Sequence, residues 1–252
     1  MALLRVDFLS DVLELGTSMT VLLPEGATAG AGAAGPPVLY LLHGLGDDDT
    51  TWTRYTALER YVQERRLAVV MPQVHRSFYA DEALGERFWT FLSTELPAVV
   101  SSFFRVSTRR ADTFVAGLSM GGYGALKWAL RHPDRFAAAA SLSGALDLVG
   151  RQRDMRDWQP GLMRRVFGEG PIAGDDDLLR LIAEADRAAL PRLFMCCGTE
   201  DYLYGENLRF RDACAARDIP LTVDFGPGEH EWSYWDEKIQ DVLAWLPLPS
   251  AR

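Results

Sequence analysis

Five short apolar runs punctuate the chain: PVLYLLHG (37–44), LAVVMP (67–72), DTFVAG (112–117), FAAAASLSG (136–144) and PRLFMCCG (191–198). Each is too short for a buried helix and is bounded by glycine or proline. A continuous apolar run of this length suits a strand covered on both faces, as in a parallel sheet. Helical patterns fill the spaces at 55–66, 88–103 and 123–131, the last ending before Pro133, and a closing helix is expected at 235–246. Pro97 is a local difficulty for the second of these. Two further strands are expected at 18–26 and 221–228. The alternation predicts an α/β fold: a mostly parallel twisted sheet with helices on both faces. Residues 26–37, GATAGAGAAGPP, read as a surface loop. Residues 145–190 break the rhythm. They are charged and hold Trp158, Pro160 and Pro171, and they read as a helical, cap-like insertion over one end of the sheet. The expectation is one domain spanning 1–252.

Composition narrows the partners. Lys plus Arg number 26 against 35 Asp plus Glu, for a net charge of -9 over 252 residues. Nucleic acid and anionic membranes call for a basic face, so neither is expected as a partner. A neutral small molecule is compatible with this balance. The three cysteines, Cys196, Cys197 and Cys214, form no spaced framework, and no metal site is expected from them. The N-terminal MALLRVDFLSDVLELG is interrupted by Arg5, Asp7, Asp11 and Glu14. It does not read as a secretory signal, and the expected compartment is the cytoplasm.

At the third run a strand pattern passes into a helix pattern through GLSMG (117–121). In a G-x-S-x-G turn of this kind the serine takes a strained backbone, and glycines are needed where side chains would collide. The turn lifts the Ser119 hydroxyl above the sheet edge. The N-terminus of the following helix aims N–H groups at the same point.

A serine hydroxyl needs a base, and the chain has four histidines. His132 reads as a helix-end residue. His43 follows a buried strand directly and reads as a support of its loop. His75 lies in a loop after a strand, where it could touch substrate. His230, in GPGEHEW, follows the last strand late in the chain and is the expected base. An acid must hold that base in one tautomer. CCGTEDYLY offers Glu200 and Asp201, and Asp147 in SLSGALDL is the rival. Asp201 is preferred, because Ser119, Asp201, His230 is then the serine–acid–histidine order of α/β-hydrolases. The glycines of HGLGDD (43–48) let a backbone N–H turn toward the serine, so Leu45 and Met120 are the expected oxyanion donors. His43, Gly44, His75 and Trp232 are candidate substrate contacts.

Taken together, LLHGLGDDDTTW, GLSMGGYGALKWAL, SLSGALD, CGTEDYLY and PGEHEWSYW resemble the esterase D-type α/β-hydrolases, most closely the tributyrin esterase branch, from about Leu39 to Leu246. The resemblance implies an α/β-hydrolase fold and hydrolysis of short-chain acyl esters, acetyl to butyryl, with no cofactor and no metal. It places Ser119, Asp201 and His230 in the triad roles and Leu45 and Met120 in the oxyanion roles. Many relatives self-associate, so a homo-oligomer is an expectation too. Related S-formylglutathione hydrolases commonly carry a cysteine after their HGL motif, where this chain has Gly46 and Asp47. A thioesterase or an acyltransferase shares the chemistry and stays open. So does a silent binding or scaffold protein on the same fold, which the intact serine, acid and histidine count against.

Overall fold

A computed structural model describes residues 1–25 and 35–248. Most of the loop expected at 26–37 falls outside the described residues. Along the chain run β1 (Ala2–Ser10), β2 (Leu15–Leu23), β3 (Val38–Leu42), α1 (Thr51–Tyr55), α2 (Leu58–Gln63) and β4 (Ala68–Pro72). Then come α3 (Phe88–Thr90), a π turn at Phe91–Glu95, α4 (Leu96–Phe103), β5 (Thr113–Leu118), α5 (Met120–Arg131) and β6 (Ala138–Leu142). After α6 (Leu148–Trp158), α7 (Pro160–Phe167) and α8 (Leu178–Glu184), the chain continues through β7 (Arg192–Gly198), α9 (Tyr204–Ala216), β8 (Leu221–Gly226) and α10 (Trp232–Trp245).

The strands form one sheet in the order β1-β2-β4-β3-β5-β6-β7-β8. From β4 to β8 every pairing is parallel, and β1 and β2 add an antiparallel edge. All five apolar runs of the sequence are strands of the parallel part. Their side chains alternate between faces. Val38, Tyr40 and Leu42 of β3 join the core on one side, and Leu39 and Leu41 join the core on the other. β5 lies in the middle of the sheet and is buried along its whole length, so the residue that follows it is held on a rigid support.

Three elements differ from the sequence reading. The N-terminal segment forms β1, which pairs with β2 from Ala2 to Ser10. Its burial alternates, with Leu4, Val6 and Phe8 half-buried between exposed Leu3, Arg5, Asp7 and Leu9. The helix expected at 55–66 is shortened to α2, and a separate short helix, α1, precedes it. A helix not read from the sequence, α9, joins β7 to β8.

Pro97 is accommodated within its helical stretch. A proline removes one N–H and pushes against the carbonyl four residues earlier, which here belongs to Ser93. That carbonyl sits in the π turn, a common form of local widening, and accepts a hydrogen bond from the Arg135 guanidinium.

The stretch between β6 and β7 carries α6, α7 and α8. It is tied down by Arg131–Asp175 at 2.7 Å and by the Tyr123 hydroxyl donating to the Asp176 carbonyl at 3.0 Å. Among the described residues no helix is long and apolar enough to cross a membrane.

Candidate active site

Ser119 stands between β5 and α5 with φ 52° and ψ -117°. This is a sparsely populated backbone region for a side-chain-bearing residue, and such strain costs about 1–3 kcal/mol. The surroundings enforce it. The Ser119 N–H donates to the Leu142 carbonyl at 2.9 Å, and the Ser119 carbonyl accepts from the N–H groups of Tyr123 and Ala145, each at 3.1 Å. The glycines of the turn leave room for it. A Cβ on Gly117 would land on the Gly121 carbonyl, and one on Gly121 would land on the Leu42 carbonyl. Met120 opens α5, so its N–H is among those a helix start leaves without an intrahelical partner.

His230 lies on the loop between β8 and α10. Its Nε2 is 3.0 Å from the Ser119 Oγ, and its Nδ1 is 2.8 Å from the Asp201 Oδ2. The other Asp201 oxygen accepts the Leu203 N–H at 2.8 Å. Burial pushes the Asp201 carboxyl up, but its hydrogen bonds to His230 and Leu203 and the charge of His230 outweigh this. The net effect holds the group below its ordinary value. Asp201 is therefore the residue that meets His230, and the two other carboxylates are engaged elsewhere. Glu200 accepts the Gly228 N–H at 2.7 Å and so braces the loop carrying His230. Asp147 caps α6 by accepting the Gly150 N–H at 2.7 Å, and it pairs with Arg209 at 2.5 Å.

Ser119 and His230 open into a cavity of about 530 Å3. Gly44 and Leu45 line it after β3, Trp232 and Trp235 at the start of α10, Trp158 at the end of α6 and Gln159 just after it. Asp47 holds Gly44 by two bonds: the Gly44 N–H donates to the Asp47 carboxylate at 3.0 Å, and the Gly44 carbonyl accepts the Asp47 N–H at 3.3 Å. The Trp232 ring lies edge-on to Trp235 and stacks on Tyr55, so one wall is aromatic.

Two candidate substrate contacts are corrected. His43 is 1% exposed and does not line the cavity. Its Nδ1 faces the Gly44 carbonyl at 2.8 Å, and its Nε2 accepts the Val74 N–H at 3.2 Å. Burial lowers its pKa and favours the neutral ring, so His43 works as a brace for the turn that presents Leu45. His75 packs edge-on to Phe88 and lines a separate groove beside β2. Its neighbour Arg76 lines the cavity instead. The sequence reading also passed over Asp47, Gln159, Tyr202 and Glu231 as cavity residues. Tyr202 had a usable signal, since it directly follows the candidate acid.

Chemically, a carboxylate, an imidazole and a hydroxyl in hydrogen-bonded line can move a proton off the hydroxyl and make it a nucleophile. The sheet order, the strained serine after its central strand and this line of groups define an α/β-hydrolase. Residues 10–246 match the family model described as "Putative esterase". The chain belongs to this esterase family and is a carboxylic ester hydrolase. It is 29% identical to an acetyl esterase from Caldicellulosiruptor saccharolyticus over 98% of both chains. It superposes on FphF, a fluorophosphonate-binding serine hydrolase of Staphylococcus aureus, with a TM-score of 0.90, 34% identity, and coverage of 97% of this chain and 98% of that one. An S-formylglutathione hydrolase (FrmB) from the same organism gives a TM-score of 0.86 and 34% identity at the same coverage.

Proposed function

We propose that the chain is a serine carboxylesterase for short acyl esters, acetyl to butyryl. One observation carries this reading: the Asp201–His230–Ser119 line of hydrogen bonds ends in an open cavity beside the free start of α5. In the first step Ser119 Oγ attacks the ester carbonyl carbon while His230 Nε2 takes its proton. Asp201 holds the ring so that Nε2 faces the serine, and it stabilises the imidazolium. The carbonyl oxygen becomes an oxyanion and rests on the N–H groups of Leu45 and Met120. His230 then gives its proton to the departing alcohol, and an acyl-serine remains. In the second step water attacks that acyl group, its proton passes to His230, and the acid leaves as the serine is re-protonated.

The similarity to an acetyl esterase supports a small acyl group. The aromatic wall of Trp232 and Trp235, with Trp158 also lining the cavity, gives it apolar surroundings. The similarity to FrmB favours a second reading, hydrolysis of a thioester such as S-formylglutathione, with the same three residues in the same roles.

The test is turnover of p-nitrophenyl acetate, butyrate and octanoate by wild type and by Ser119→Ala, with S-formylglutathione in parallel. Rapid hydrolysis of the two short esters, lost in the variant, is expected. Faster turnover of octanoate than of butyrate would overturn the chain-length reading. Preference for the thioester would install the second one. Equal rates in wild type and variant would remove Ser119 from the chemistry.

A further inference from the structure

We propose that Tyr202 is a positioning residue for His230 and that Arg151, on α6, holds Tyr202 against it. This rests on His230 acting as the base.

The Nε2 bond to Ser119 is given up whenever the serine carries an acyl group, and the Nδ1 bond to Asp201 then anchors one atom of the imidazole and leaves the ring free to swing about it. Packing must supply the rest. The His230 ring packs against two aromatics. The Trp235 centroid is 4.9 Å away with the planes at 88°, and the Tyr202 centroid is 4.6 Å away with the planes at 52°. The two differ in how they are held. Trp235 is 5% exposed and belongs to a core cluster, whereas Tyr202 is 67% exposed. An exposed ring would be expected to leave such a contact by rotating at χ1, unless something covers it.

Arg151 does so. Its Cζ lies over the Tyr202 ring, 5.6 Å from the centroid, within the range in which a guanidinium is attracted to an aromatic face. Arg151 is fixed in turn, with Nε 3.0 Å from the Oε1 of Glu206, a carboxylate on α9 that is 3% exposed. The other Glu206 oxygen accepts the Asp147 N–H at 3.0 Å, just ahead of α6. Glu206, Arg151, Tyr202 and His230 therefore touch in series. The segment between β6 and β7 reaches the reacting groups through this series, as well as through Trp158 in the cavity wall.

The proposed reaction explains the need for such a clamp. His230 must take a proton from one oxygen and deliver it to another with only a small movement. A ring free to swing outward spends time out of line with Ser119. Tyr202 also lines the cavity, so direct contact with substrate is the rival role, and the two predict different kinetics.

The experiment compares wild type with Tyr202→Ala, Tyr202→Phe, Arg151→Met and Arg151→Lys. It measures kcat and KM for p-nitrophenyl acetate and the rate of Ser119 labelling by a fluorophosphonate. For Tyr202→Ala, kcat falls about tenfold, part of the hundredfold or more that a well-placed base supplies. Labelling slows in parallel, and KM stays within about twofold. Tyr202→Phe keeps the ring and matches wild type. Arg151→Met lowers kcat about threefold, the size of an exposed cation–π contact, and Arg151→Lys restores most of it.

A rise in KM with kcat unchanged in Tyr202→Ala would overturn the proposal in favour of substrate contact. Equal impairment of Tyr202→Phe and Tyr202→Ala would assign the role to the hydroxyl and overturn it too. An unaltered kcat in Arg151→Met would remove Arg151 from the clamp. Because Tyr202 is exposed, its truncation opens no hole in the core. Failure of wild type itself to turn over ester or take up label would sink the proposed function rather than the clamp.

Discussion

The ammonium of Lys127 sits 2.5 Å from the carboxylate of Asp176, joining the helix after Ser119 to the segment between β6 and β7. Lys127 is 1% exposed, and its Nζ also donates to the Tyr79 carbonyl at 2.9 Å. Burial pulls its pKa down, and Asp176 opposes that pull. Taking away one member of a buried pair strands the other charge. Asp176→Asn should therefore lower unfolding stability by about 2–3 kcal/mol, somewhat under the full cost of a buried pair because Asp176 is partly open to water. Lys127→Met should cost less, since the carboxylate left behind can be hydrated. Urea unfolding of both variants checks this, and the reverse ranking would contradict it.

Room at the serine turn is a second point of leverage. Gly117→Ala would drive a methyl group into the backbone carbonyl of Gly121, which no side-chain rotation can relieve. A loss of about 3 kcal/mol or more is expected, in the range of severe overpacking. Gly161, in α7, has nothing within 4 Å of a built Cβ. Gly161→Ala should raise stability by about 0.5–1 kcal/mol through helix propensity. Thermal unfolding of the two alanine variants should move in opposite directions.

Asp201→Asn keeps the shape of the acid and removes its charge. In the proposed mechanism kcat should fall by about 10³–10⁴, the penalty for an imidazole in the wrong tautomer, with KM changed little. Steady-state kinetics on p-nitrophenyl acetate reads this directly, and a drop of less than tenfold would contradict the role given to Asp201. In wild type the carboxyl is held below its ordinary value of 3.8. Its contribution to stability is therefore present above that value and is lost only as pH falls through the lower folded value.

Glu206 titrates in the opposite sense. Burial raises its carboxyl to about 7 from 4.5, against the hydrogen bond from Asp147 N–H and the charges of Arg151 and Arg209, while the charge of Asp147 adds to the rise. The folded state thus binds this proton more tightly than the unfolded chain. The stabilisation is complete below about pH 4.5 and is lost as pH rises through 7. Glu206→Gln cannot titrate. Between pH 5 and 8 wild type should lose about 2 kcal/mol relative to this variant, seen as a falling difference in Tm. A difference that stays constant with pH would contradict the assignment.

The parts of this molecule that could be read from sequence are those whose constraints are local. GLSMG announces a turn because its glycines answer collisions within the turn and with the neighbouring strand end. His230 and Asp201 could be placed because each directly follows a strand of a parallel sheet, where its loop reaches the same end. The parts that could not be read depend on remote partners. The 88–103 helix keeps Pro97 because Arg135, far along the chain, takes up the Ser93 carbonyl. His43 could be read both as a loop support and as a substrate contact, and only the Val74 and Gly44 backbone groups on its two ring nitrogens decide for the first. His75 and Arg76 are adjacent, and only the packing against Phe88 decides that the second one faces the cavity. β1 escaped notice because its alternating, half-exposed pattern lacks the continuous apolar run of the buried strands.

Ser119 and His230 touch across a separation of 111 residues, and Asp201 meets His230 across 29. No contiguous stretch of a few dozen residues contains the whole assembly. Its appearance during refolding would report that β5, β7 and β8 have taken their places in the sheet. Uptake of a serine-directed probe, followed in time after dilution from denaturant, would then serve as a clock for long-range order in this chain, running behind any signal from its helices alone.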